Sequence, residues 1–172
     1  TLDLKDVRIL LVDDNNMNIK VANKLFERYN ANAIESVESG FECLDKIKRG
    51  EIYDVILLDD MMPKMSGVET LTELKKIPGF KIPVVALTAN AITGMKEKYL
   101  SEGFDDYLAK PIDKTEFIRV MNELLGRNIT EEFDVVVEEK EPVITNNENV
   151  RDEIIVPEEK KPLIIPVEDN IE

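Results

Sequence analysis

The chain has 172 residues, 43% hydrophobic and 34% charged, with a net charge of -14 and no histidine. That length suits one globular domain plus an appendage, and no apolar run approaches the roughly 20 residues needed to span a bilayer. The missing histidine excludes histidine metal sites, His-based triads and phosphohistidine chemistry on this chain.

The charge is uneven: residues 1–126 carry -5 and residues 127–172 carry -9. An acidic tail repels phosphate backbones and neither part offers a basic stripe, so nucleic acid is not an expected partner. Thr1 to Asp6 has no apolar h-region of a signal peptide. Because Thr1 is not an initiator Met, the expectation is a fragment or processed piece of a longer protein. Cys43, the single cysteine, permits no internal disulfide, consistent with a cytoplasmic, reducing setting, and reads as buried filler rather than a reactive thiol.

Five short apolar runs read as strands: Val7 to Val12, Ala33 to Val37, Val55 to Leu58, Val84 to Leu87 and Asp106 to Ala109. Helix-period stretches follow each. After the first strand, Met17, Val21 and Leu25 with Ala22, Phe26 and Tyr29 repeat at three- and four-residue spacing and predict one apolar face. Phe117, Met121, Leu124 and Leu125 do the same in the last helix. Five βα units imply a parallel sheet covered by helices on both faces, a three-layer (βα)5 flavodoxin-like α/β sandwich. Beyond residue 126, acidic clusters alternate with Val/Ile runs and four of the eight prolines. This composition predicts a poorly ordered acidic linker over 127–172, with a docking motif for a partner as the alternative.

Asp13 and Asp14, Asp59, Thr88 and Lys110 each follow one of the apolar runs. In open parallel sheets, ligands bind beyond the carboxyl ends of the strands, so these groups are expected in one cleft. Three crowded carboxylates must either protonate or recruit a cation, and Mg²⁺ accepts oxygen ligands while keeping positions for water and phosphate oxygens. A metal, a lysine and a hydroxyl suit a phosphoryl group, with a carboxylate as acceptor.

Four motifs in order carry a resemblance: Leu11-Val12-Asp13-Asp14-Asn15, Leu58-Asp59-Asp60-Met61-Met62-Pro63-Lys64-Met65-Ser66-Gly67, Ala86-Leu87-Thr88-Ala89, and Asp106-Tyr107-Leu108-Ala109-Lys110-Pro111. Residues 5–125 resemble the receiver domain of two-component response regulators. The resemblance implies that Asp59 is the phosphoacceptor, that Asp14 coordinates Mg²⁺ with Asp13 beside it, and that the Met61 backbone carbonyl joins the ligand set. It implies that Lys110 pairs with the acceptor, that Thr88 and Tyr107 form a switch pair, and that the Lys110-Pro111 bond is cis. The donor is then a histidine kinase or a histidine phosphotransfer protein. The receiver promotes its own phosphorylation and dephosphorylation without being a turnover enzyme.

Asp13-Asp14-Asn15-Asn16-Met17-Asn18, Ala86-Leu87-Thr88-Ala89-Asn90-Ala91 and Gly94-Met95 are similar to receivers of bacterial hybrid sensor histidine kinases. In that context this segment makes no membrane contact of its own, although the parent chain can be membrane-anchored. A stand-alone response regulator is the runner-up. An aspartyl-nucleophile phosphatase would want an Asp where Met61 stands, and a phosphorylation-independent binding module would not need the acidic pair, Thr88 and Lys110 together. Asp60 is expected as a solvated loop charge, Asp105 and Asp106 as a solvated pair, and Lys64, Glu69, Lys75 and Lys76 as helix surface.

Overall fold

In chain order the elements are β1 (Arg8–Val12), α1 (Asn16–Glu27), β2 (Ala33–Val37), α2 (Gly40–Lys48), β3 (Val55–Asp59), α3 (Gly67–Lys75), β4 (Val84–Thr88), α4 (Met95–Ser101) and β5 (Asp106–Ala109). A fifth helix, α5, covers 114–126. The computed structural model describes residues 2–90, 92 and 94–126; the acidic tail and its Val/Ile runs lie outside the described residues. Local chemistry sets the helix starts. The Asn15 side chain accepts from the Met17 and Asn18 N–H groups, Ser39 caps α2, and Ser66 with Glu69 forms a reciprocal capping box at α3. Glu69, expected as plain helix surface, therefore holds the entry to α3.

The strands pair in the order β2-β1-β3-β4-β5, all parallel. Val12 is level with both Val37 and Leu58, Asp59 with Leu87, and Thr88 with Ala109, so the carboxyl ends of the strands form one rim. β3 and β4 run one residue further than the apolar pattern predicts, which makes Asp59 and Thr88 the last residues of their strands.

The pleat divides the core in two. Ile9, Leu11, Val55, Leu57, Val85, Leu87 and Leu108 face α1 and α5. Leu10, Val12, Ile56, Leu58, Val84 and Ala86 face α2, α3 and α4. Cys43 is fully buried in this second core, and burial pushes its thiol up to about 12, which fits inert filler.

The α1 face differs from the expected stripe. Ile19, Ala22 and Phe26 are buried, whereas Met17 and Val21 are 64% and 48% exposed. At 100° per residue, Met17 and Val21 lie nearly opposite Ile19, so a four-residue repeat drifts off the face that meets the sheet. The Phe26 and Phe117 rings meet at 5.2 Å and join α1 to α5. Among the described residues no helix is long and apolar enough to cross a membrane.

Phe117→Ala removes the ring shared by α1 and α5 and should cost about 3–5 kcal/mol. Urea unfolding should show a lower midpoint with an unchanged slope, and a midpoint equal to the parent's would contradict this packing.

Candidate functional site

The strand order places β1 beside β3, with β2 on one side and β4 and β5 on the other. The chain changes direction at β1, and the crevice beyond the ends of β1 and β3 is the switch point where such sheets bind ligands. Strand parity decides what points into it. Asp13 and Lys110, two residues beyond Leu11 and Leu108, and Asp59, two beyond Leu57, all turn to the α1/α5 side.

Asp13 and Asp59 are each 1% exposed, and Asp14 lies exposed at the mouth. One carboxylate oxygen from each of the three falls within 4.8 Å of the others. The Lys110 ammonium donates to Asp59 Oδ1 at 3.0 Å and to Asp13 Oδ2 at 3.5 Å. The Met61 N–H donates to the same Asp59 oxygen at 3.2 Å. Asp13 accepts from the Asn15 N–H at 2.8 Å and from the Asn18 amide at 3.3 Å. The Lys110–Pro111 peptide bond is cis.

These contacts leave the site short of positive charge. Burial pushes the Asp59 carboxyl up to about 6; Lys110 opposes that, Asp13 reinforces it, and the Met61 N–H lowers it. Burial also works against the Lys110 ammonium, but Asp59 and Asp13 outweigh it and hold its pKa above the ordinary value. An all-oxygen donor set with uncompensated negative charge fits a hard divalent cation such as Mg²⁺.

Thr88 stands on the other side of the sheet end, buried, with its hydroxyl accepting from the Asn90 N–H at 2.9 Å and donating to the Asn90 carbonyl at 3.2 Å. Tyr107 is half-buried, and its ring stacks on Tyr99 of α4 with centroids 5.6 Å apart. The structure thus brings Asp13, Asp14, Asp59, Thr88 and Lys110 to one rim, with Tyr107 one layer behind Thr88.

Several residues play parts that local reading did not assign. A Cβ on Gly67 would fall 2.5 Å from the Asp59 carbonyl oxygen and 2.7 Å from Asp60 Cα, so α3 starts directly against the backbone of Asp59. Asp105 and Asp106 are not a solvated pair. Asp105 accepts from the Val84 N–H at 2.8 Å, and Asp106 is 2% exposed with Arg119 of α5 at 3.6 Å. Asp60 is not a free loop charge either, because the Tyr99 hydroxyl donates to it. These partners come from distant elements, so spacing along the chain carries no signal for them.

A parallel sheet in the order 2-1-3-4-5 with an acidic cluster and a lysine at its switch point is a flavodoxin-like α/β domain whose site suits a cation and a phosphoryl group. Residues 9–122 match the family described as the response regulator receiver domain. This chain belongs to that family, and it is a receiver of two-component phosphorelay signalling. Over 107 residues it is 37% identical to the signal transduction histidine-protein kinase BarA of Escherichia coli strain K12, covering 62% of this chain and 11% of BarA. Over 131 residues it is 34% identical to hybrid signal transduction histidine kinase I of Dictyostelium discoideum, covering 72% of this chain and 8% of that protein. The chain therefore spans only a small part of these relatives. Among solved structures, the receiver domain of the histidine kinase CKI1 from Arabidopsis thaliana, complexed with Mg²⁺ and BeF3⁻, superposes with a TM-score of 0.60 at 25% identity, covering 72% of this chain and 92% of that one.

An acid whose pKa is raised by folding stabilises the fold only while protonated. The Asp59 contribution is therefore present below about pH 4 and lost as pH rises through about 6. In buffer free of divalent cations, Asp59→Asn should raise stability at pH 7.5 by about 1–2 kcal/mol, after allowing for the lost Lys110 contact, and the gain should vanish below pH 4. Urea melts across this range measure it; a variant less stable than its parent at pH 7.5 contradicts the electrostatic account.

Proposed function

We propose that Asp59 is the residue that accepts the phosphoryl group, from a phosphohistidine carried by a histidine kinase or a histidine phosphotransfer protein. The observation that carries this is a carboxylate buried at the end of β3 with an ammonium 3.0 Å away and two further carboxylates beside it. An Asp59 oxygen attacks phosphorus in line, a P–O bond forms, the P–N bond to the donor imidazole breaks, and the imidazole keeps the electron pair. The Asp59 carboxylate must be ionised to attack. Lys110 favours that state and afterwards faces the phosphoryl oxygens.

Mg²⁺ is the cation that the donor set suits: Asp14, Asp13 and Asp59 with the Met61 carbonyl would hold it, and it would supply positive charge against the phosphoryl oxygens. Thr88 exchanges its Asn90 contacts for a phosphoryl oxygen, and Tyr107 follows into the space behind it. Residues 1–126 are then the receiver domain and 127–172 a linker. The larger protein, on the strength of its kinase relatives, is a hybrid histidine kinase that works in the cytoplasm and can be membrane-anchored through its other parts. A stand-alone regulator is the alternative.

Asp59→Asn should abolish labelling of the full chain by acetyl phosphate in Mg²⁺, and a chelator should abolish labelling of the parent. Undiminished labelling of Asp59→Asn, read by mass spectrometry, would sink the acceptor assignment.

A further inference from the structure

Asp59 and Asp60 are adjacent in sequence but diverge in space. The pleat turns Asp59 toward α1 and α5, and Asp60, in phase with Ile56 and Leu58, toward α4. There the Tyr99 hydroxyl donates to Asp60 Oδ2 at 2.5 Å. Tyr99 is 1% exposed, and its ring is confined by stacking on Tyr107 and by an edge contact with Phe104 at 5.8 Å. Burial, then the Asp60 charge, pushes its phenol up to about 12, so it remains a donor at every pH where the site operates.

The Asp60 backbone is pinned independently. Its N–H donates to the Leu87 carbonyl at 2.9 Å and its carbonyl accepts from the Gly67 N–H at 3.1 Å. Only side-chain rotation is left free, and the Tyr99 hydrogen bond removes it. Asp60 nevertheless lines the same open cleft as Asp14 and Asp59. A carboxylate released from Tyr99 has room to turn inward, where it would join three clustered carboxylates of which Lys110 pairs with two, Asp13 and Asp59.

We propose that Tyr99 is a positioning residue for the cation pocket: its buried hydroxyl holds the Asp60 carboxylate on the α4 side of the sheet, so that the pocket is built from Asp13, Asp14 and Asp59 and not from four carboxylates. This rests on the reading of that cleft as a Mg²⁺ site. The hydroxyl thereby also ties α4 to the residue next to Asp59, beside the Thr88 side chain.

Tyr99→Phe deletes one hydroxyl and keeps the ring contacts. The test is calorimetric titration of Mg²⁺ into the full, unphosphorylated chain. Tyr99→Phe should bind Mg²⁺ at least threefold more tightly than the parent, because the freed carboxylate turns toward the ion. Adding Asp60→Asn should return the affinity to that of Asp60→Asn alone. A loss that merely loosens α4 would not tighten cation binding, so a smaller gain, a weakening, or a gain that persists in the double variant overturns the proposal. Should Tyr99→Phe not fold, Asp60→Asn alone decides. It should leave the Mg²⁺ dissociation constant within threefold of the parent, and a larger weakening would put Asp60 among the ligands and overturn the proposal. A parent that binds no Mg²⁺ overturns the cation reading of the cleft; a parent that binds it while Tyr99→Phe is unchanged overturns only the role of Tyr99.

Discussion

Asp13 and Asp59 are buried side by side against one ammonium, and much of the domain is arranged around that imbalance. Two carboxylates removed from water repel each other and lose hydration, costs that Lys110 offsets only in part, since Asp59 still sits well above the ordinary aspartate range. The surroundings hold the groups in place. Asn15 and Asn18 donate to Asp13, the Met61 N–H donates to Asp59, and the start of α3 closes against the Asp59 backbone through Gly67. A site with stored negative charge and fixed geometry is suited to a hard cation and a phosphoryl group, because little reorganisation is needed.

The sheet makes this possible because its pleat sorts side chains without any special loop. Alternate residues of β1, β3 and β5 enter the α1/α5 core, and the same alternation, carried to the last residue of β3 and just past the ends of β1 and β5, delivers Asp59, Asp13 and Lys110 to one side. The opposite phase delivers Thr88 and Asp60 to the side of α4, where Tyr99 and Tyr107 stack. One rim therefore carries two layers, an acidic and lysine layer on the α1/α5 side and a hydroxyl and aromatic layer on the α4 side. The second layer adjoins α4, a seven-residue helix entered through Gly94 at φ 93°, without a side-chain cap hydrogen bond. A short helix without such a cap depends mainly on its packing against the sheet.

Much of this was legible along the chain. The β-strand runs, the helix stretches between them and the polar residues at the strand ends are local features, and all five strands appear within a residue of where the apolar pattern places them. The α1 stripe was misjudged at Met17 and Val21, because three- and four-residue spacings alone do not say which side of a helix meets the sheet. Asp60, Asp105 and Asp106 were misjudged because charge and loop position suggest solvent, while their partners Tyr99, Val84 and Arg119 lie on other elements.

The amino-acid sequence by itself determined the succession of five strand and helix units, and the acidic, hydroxyl and lysine residues that end the strands. Those follow from the two- and 3.6-residue periods of the backbone, which any short window displays. Only the tertiary structure decided that β1 lies beside β3 and that Lys110 reaches Asp13 across 97 residues. It alone decided that the carboxylate after Asp59 is held by a buried tyrosine 39 residues away. The physical reason is that side-chain partners are chosen by which faces pack together, and packing joins residues that no local period relates.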